Sequence, residues 1–467
     1  MKRLNDNNKK IRRGCWVVLG LLLLVSAWAQ TVWQVRQKQH KEALPPDTVA
    51  LPLPLPGMWI EGRDTLQLPA DTVGNPLARF FAGLDSLKAG KDTVITVVHL
   101  GDSHIQAGRY SGKVMRLLHR EFGNAGRGWI APYKLNRTNE PDDYFIRSAI
   151  RDWTGGRITQ RRKKTAIGMG GIGVRSFSPS INLNVIVTPK NGAGYAFNQA
   201  ILYRRDKAMP MLPTDKSKEI TDAFLADSAY VGVKADTFRL KGLADTLLLH
   251  STRRKQGTDQ LLPASSFNNT YYGFSLTNGQ AGVLYHAVGV NGAMYVHYTD
   301  SDYVGRLALL RPQLLIVSLG TNETFGRRFS GIEFSEQVKR FLHLVKQVMP
   351  EVEILLTTPP ECYKRTYVNK KRVYVRNENT EKAAAALKQI AKEEGLACWD
   401  LFAATGGRLS SRKWLNQRLM ARDRIHFTQK GYEDQGVLLY RALMNAYNAH
   451  LREKQTGINK KNITENE

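Results

Sequence analysis

Hydrophobic and polar positions change period along the chain, and the changes mark out its elements. Thr93–Leu100 is an apolar run rich in β-branched residues, which predicts a buried strand ending at Gly101. The pattern turns helical near Tyr110, where Val114, Leu117 and Leu118 share one face. Pro76–Leu87 predicts a short helix ahead of that strand. The same texture returns after residue 280, with strands expected over Val283–Val288, Leu314–Leu319, Glu353–Thr357 and Ala397–Phe402. Helices are expected over Phe334–Val348, Asn379–Glu394 and Gln429–Leu451, and a mobile polar tail from Arg452. Strands alternating with helices predict a mostly parallel sheet covered on both faces.

Between Tyr144 and Asn278 the helical period fades. Short alternating segments replace it at Ile181–Val187, Ile201–Tyr203, Thr237–Leu240, Thr246–His250 and Tyr272–Leu276, with turn signals such as Lys190-Asn-Gly-Ala-Gly194 between them. That texture predicts an all-β sandwich or jelly roll inserted into the α/β body. The expected organisation is therefore an α/β domain in two pieces, 75–143 and 279–451, around a β insert at 144–278, followed by a tail at 452–467.

The N-terminus reads as an export segment. Lys2, Arg3, Lys9, Lys10, Arg12 and Arg13 face a single acid, Asp6, and precede the apolar run Cys15–Trp28. Residues 1–33 are expected to be either a cleaved signal peptide ending near Ala27-Trp28-Ala29 or an inner-membrane anchor flanked by Trp16 and Trp33. Either form sends the remaining chain out of the cytoplasm, as a periplasmic protein or as an inner-membrane-anchored one with its catalytic domain outside. Residues 34–74, with Leu51-Pro-Leu-Pro-Leu-Pro56, read as an extended linker.

Composition narrows the partners. In 467 residues, 68 Lys and Arg against 41 Asp and Glu leave a formal charge of +27, which favours polyanions. No arginine-rich recognition helix, zinc-ligand spacing or stacking run accompanies it, so nucleic acid is not expected. The three cysteines, Cys15, Cys362 and Cys398, supply no metal site, and a Cys362–Cys398 bridge is the one pairing an oxidising compartment would allow.

Polar clusters fall where loops leave the predicted strands: Ser103, Gly289-Val-Asn-Gly292, Asn322, and Asp423-Arg-Ile-His426. A serine hydroxyl is a weak nucleophile until an imidazole takes its proton, and the imidazole needs a carboxylate to fix its tautomer. Asp423 and His426 lie close enough in sequence for one turn to supply both. A tetrahedral intermediate needs N–H donors, which the backbone of Ser103 and Gly292 and the amide of Asn322 provide in principle. His104, His119, His286 and His297 are expected to be structural or surface groups.

These blocks, in this order, resemble the SGNH/GDSL hydrolases: Gly101-Asp-Ser-His104, Gly289-Val-Asn-Gly-Ala293, Gly320-Thr-Asn-Glu323 with Glu323 at a usual Asp, and Asp423-Arg-Ile-His426. The resemblance implies a Ser103–His426–Asp423 triad on a flavodoxin-like three-layer sheet, oxyanion roles for Gly292 and Asn322, and no metal or cofactor. Gly101-Asp-Ser-His104, Gly123-Asn-Ala-Gly-Arg-Gly-Trp129 and a β insert leading into Gly289 look most like peptidoglycan O-acetylesterases. That likeness implies an O-acetylated cell-wall glycan as substrate. Acetyl transfer to a glycan, esterase action on another acylated carbohydrate, and a non-catalytic wall-binding role are the competing expectations.

Overall fold

The computed structural model describes residues 48–55, 63–69, 74–188, 194–214, 220–225, 232–252, 269–326 and 328–464. The export segment predicted over 1–33 lies outside them. Among the described residues no helix is long and apolar enough to cross a membrane.

The buried apolar runs form one six-stranded sheet. Its strands are β1 (Leu66–Gln67), β2 (Val94–Gly101), β3 (Gly282–Gly289), β4 (Leu314–Ser318), β5 (Glu353–Thr357) and β6 (Ala397–Trp399). Their order across the sheet is β1-β6-β5-β4-β2-β3, parallel throughout except for β1 at the edge. Without β1, that is the flavodoxin-like 2-1-3-4-5 order, whose switch point lies between β2 and β4. Parallel strands buried on both faces lose the polar alternation of a half-exposed strand. Accordingly Val97, Val98, Leu100 and Leu314–Val317 are all fully buried.

Helices cover the sheet: α1 (Ala78–Lys88), α2 (Ser103–Gln106), α3 (Arg109–Phe122), α4 (Gly331–Val348), α5 (Asn379–Glu393) and α6 (Gln429–Thr464). In α3 the buried face includes Val114, Met115, Leu117 and Leu118, the stripe expected from sequence plus one neighbour. The Ser330 side chain caps α4 by accepting from Glu333 N, which starts that helix ahead of its predicted Phe334. The polar stretch after Arg452, expected to be mobile, continues α6 to Thr464. Its Lys, Glu and Gln residues are good helix formers.

The inserted region consists of antiparallel sheets. Ser180–Val187 shows the alternation that sequence predicted, with Ile181, Leu183, Val185 and Val187 inward. One boundary differs from expectation. Gly128–Ile130, read as part of a glycine loop in the α/β half, pairs with Asn269–Thr277 in the inserted sheet. Residues 49–450 form one compact unit, so the β region is continuous with the α/β body.

The stretch read as an extended linker also differs. Its described parts are docked: Asn448 bonds both backbone groups of Val49, Asp434 accepts from Leu55 N, and Asp64 pairs with Arg441 at 2.6 Å. Polar side chains on α6 satisfy backbone groups that prolines and a short edge strand leave open.

Candidate active site

Strand register brings the polar loops together. Gly101 is the cross-strand partner of both Gly289 and Ser318, so β2, β3 and β4 end at one level. The residues that follow them are Asp102-Ser103, Val290–Gly292 and Leu319–Asn322. They meet at the carboxyl edge, at the switch point where such sheets collect ligands. Gly289 is required here because a Cβ would meet Gln106 N at 2.2 Å, which lets the glycine loop cross directly over α2. Gly292 is needed for a different reason: its φ is +79°, while the space beside it is open.

Ser103 opens α2, a four-residue turn, and α3 begins only after Gly108 in a left-handed conformation. The long helix therefore starts beside Tyr110, where the sequence pattern turns helical, and the serine lies in a separate turn ahead of it. Asp423–His426 lies in a loop closed by an Ala421 N–His426 O bond of 2.8 Å. Ser103 Oγ stands 2.8 Å from His426 Nε2, and His426 Nδ1 stands 2.7 Å from Asp423 Oδ2. The other Asp423 oxygen accepts from Ile425 N and His426 N, at 2.9 and 3.0 Å. The hydrogen bond from His426, together with those backbone donors, holds the Asp423 carboxyl well below its ordinary range. The same bond to Asp423 raises His426 above its ordinary value of 6.5, against the opposing effect of burial.

Ser103, Gly292, Asn322 and His426 line a cavity of about 720 Å³ together with Asn139 and Phe325. Asn322 Nδ2 donates to Asp102 Oδ2 at 2.9 Å and to Ala293 O at 3.0 Å. Its two hydrogens are thus already engaged, and it offers an incoming oxyanion a shared bond. Glu323 accepts from Tyr295 N at 2.9 Å and ties down the segment after the glycine loop, while burial pushes it up to about 7.

Sequence reasoning missed several supports. Asp102 is 1% exposed, accepts from His104 N, and is pushed up to about 7 by burial. Gln106 accepts from Asn291 N at 2.8 Å and donates to Asn139 O at 2.8 Å, fastening the glycine loop to the opposite rim. A hairpin of Tyr363–Val368 and Lys371–Arg376 braces the histidine loop. Tyr363 N donates to Arg424 O at 2.9 Å, and the Arg424 guanidinium lies 4.4 Å from the Tyr374 ring centre. This holds Arg424, at φ 59°, in a conformation costly for a side chain with a Cβ. Of these, only the exposed basic alternation around Asn369-Lys370 carried a sequence signal.

His104 sits with its ring centre 5.3 Å from that of His426, and its Nδ1 is 2.9 Å from Tyr432 Oη. Burial, with the nearby His426, lowers His104 to about 3, so it is a neutral neighbour of His426 at working pH. Burial likewise lowers His119 and His286 to about 3. Cys362 and Cys398 are free and buried, with burial pushing both thiols up to about 12.

Residues 258–433 match the model of the GDSL-like Lipase/Acylhydrolase family. The matched stretch holds the glycine loop, Asn322 and Asp423–His426, and begins after Ser103. Fold, motif order and this match make the chain similar to the SGNH/GDSL-type hydrolases, a group of carboxylic ester hydrolases. Among solved structures, a peptidoglycan O-acetylesterase described as in action aligns at a TM-score of 0.66 and 18% identity, over 82% of this chain and 99% of its own. The architecture that this chain resembles is thus that of such an esterase, β insert included. A GDSL-like lipase from Bacteroides thetaiotaomicron aligns at 17% identity over 35% of this chain and 76% of its own, TM-score 0.26. A carbohydrate esterase family 3 protein from Talaromyces cellulolyticus aligns at 15% identity over 35% and 72%, TM-score 0.27. No curated protein sequence matches the chain.

Proposed function

We propose that the protein is a serine esterase that removes O-acetyl groups from an exported cell-wall glycan, peptidoglycan in the first instance. The observation that carries this reading is the unbroken run from Ser103 Oγ through His426 to Asp423 at the wall of an accessible cavity. Ser103 Oγ attacks the acetyl carbonyl as its proton passes to His426 Nε2, and Asp423 stabilises the imidazolium. Backbone N–H groups of Ser103 and Gly292, with Asn322, face the oxyanion. Collapse expels the sugar hydroxyl, which takes the proton from His426. Water, deprotonated by the same imidazole, then releases acetate and restores Ser103. Export by the basic-then-apolar N-terminus would put this chemistry outside the cytoplasm, where the polymer lies.

The test is acetate release from O-acetylated peptidoglycan by the purified protein. Turnover of simple acetyl esters with no acetate from the polymer would reject the polymer as substrate.

The pH profile carries a separate prediction. His426 must be neutral to accept the serine proton, so kcat/KM falls as pH drops through its pKa, which lies above 6.5. Asp423→Asn removes the main cause of that elevation. The acid limb should move to lower pH while the rate drops by about 10⁴-fold. An acid limb that stays in place in the variant would contradict the His426–Asp423 assignment.

A further inference from the structure

Beside the active site is a second cavity, of about 250 Å³, lined by Arg137, Arg157 and Lys164 together with Trp153, Gly155 and Gln160. No carboxylate contributes to its lining. Three other arginines in this part of the chain have acidic partners: Arg127 with Asp143, Arg147 with Glu140, Arg204 with Asp236. Among the described residues Arg137, Arg157 and Lys164 form no ion pair. Arg157 is fixed by neutral acceptors instead, with Nε 3.3 Å from Asn136 Oδ1 and Nη2 3.1 Å from Asn136 O. A guanidinium held by carbonyl oxygens keeps both its charge and its orientation, so little is lost when an external anion binds. The exposed residues Arg161, Arg162 and Lys163 extend the same positive field.

This cavity and the active-site cavity share one strap. Asn136 and Arg137 line the first, and Asn139 lines the second. Three residues span at most about 11 Å, so the two cavities lie within reach of one short glycan segment. The strap is rigidly tied, since Gln106 Nε2 bonds Thr138 Oγ1 at 2.9 Å and Asn291 Nδ2 bonds Asn139 Oδ1 at 2.7 Å. On the other rim, burial and then the charge of Lys163 lower His297, whose Nδ1 accepts from Met294 N in the active-site lining.

We propose that the Arg137–Arg157–Lys164 cavity is an anion subsite, which takes a carboxylate of an acidic glycan while an ester on the same strand lies at Ser103. The proposal rests on the reading of Ser103 as the nucleophile of a glycan esterase. An acyl ester and an anion on one strand describe an acidic acylated polysaccharide, whereas a polynucleotide carries no such ester.

The experiment compares wild type with Arg137→Gln/Lys164→Gln on O-acetylated peptidoglycan and on the same polymer with its carboxylates amidated. Neither altered side chain is bonded to another described residue, so the strap stays intact. Wild type should prefer the acidic polymer by on the order of 10-fold in kcat/KM, expressed mainly in KM, as expected for lost charge-assisted hydrogen bonds partly screened by solvent. The double variant should lose that preference, and added salt should weaken it in wild type. Arg157→Lys, which keeps the charge, should retain more of the preference than Arg157→Gln. Equal turnover of the two polymers by wild type, or an unchanged preference in the double variant, overturns the subsite.

Binding of de-O-acetylated strands to Ser103→Ala protein is measured in parallel. If no polymer is deacetylated, the esterase reading falls, and equal binding of acidic and amidated strands by this protein would overturn the subsite separately. Peptide-free strands locate the carboxylate. A retained preference places it on the sugar and a lost one on the attached peptide, and both outcomes support an anion subsite.

Discussion

Ser103→Ala lowers kcat for acetyl-ester hydrolysis by about 10⁴- to 10⁶-fold, the range for removal of a nucleophile from a cooperative triad. Among the described residues the side chain bonds only His426 Nε2, at 2.8 Å, and no other hydroxyl is hydrogen-bonded to that imidazole. His104 is neutral and turned toward Tyr432, and both thiols are buried away from the cavity lining. Deleting one hydroxyl from an accessible wall leaves folding nearly untouched, within about 0.5 kcal/mol. Activity and denaturation midpoint measured on the same preparation separate the two effects. Activity within a few-fold of wild type would remove Ser103 from the mechanism.

Asp143→Ala should cost about 3–5 kcal/mol of stability, because it leaves a guanidinium buried without its counter-charge. Arg127 is 1% exposed and Asp143 3%, and they make bonds of 2.6 and 3.1 Å. The ring centres of Tyr144 and Tyr195 lie 5.1 and 5.7 Å from the guanidinium, so aromatic side chains pack around the pair. Arg127 immediately precedes the Gly128–Ile130 strand, so the loss would loosen the join between the α/β body and the inserted sheets. Urea denaturation reads the change. The apolar pair Arg127→Met/Asp143→Leu should recover most of it, because it removes both charges. A single variant costing under about 1 kcal/mol would show that the pair is solvated when the protein opens locally.

The elements with a strong period were legible from the chain. Glu353–Thr357 forms over the expected residues, and β2, β3 and β4 fall within a residue or so of theirs, because buried parallel strands have few alternatives. The Tyr363–Arg376 hairpin escaped notice. Its basic strands have no fully buried residue, and pairing rather than burial defines them. The linker misled for a similar reason: proline-rich sequence reads as extended whether or not a surface receives it. What receives it is Asn448, Asp434 and Arg441, hundreds of residues away.

By itself the sequence determined the α/β class, the β insert and the polar blocks that a hydrolase needs, since these depend on local period and residue type. Register decided the remainder. Only the alignment of Gly289, Gly101 and Ser318 brings three distant loops to one edge, where His426 meets Ser103. Only packing engages Asn322 with Asp102, leaves His104 neutral beside His426, and gathers Arg137, Arg157 and Lys164 around a cavity next to the site. Hydrogen-bond partners and electrostatic fields are properties of distances in space, and residues far apart in the chain reveal them only once the sheet has formed.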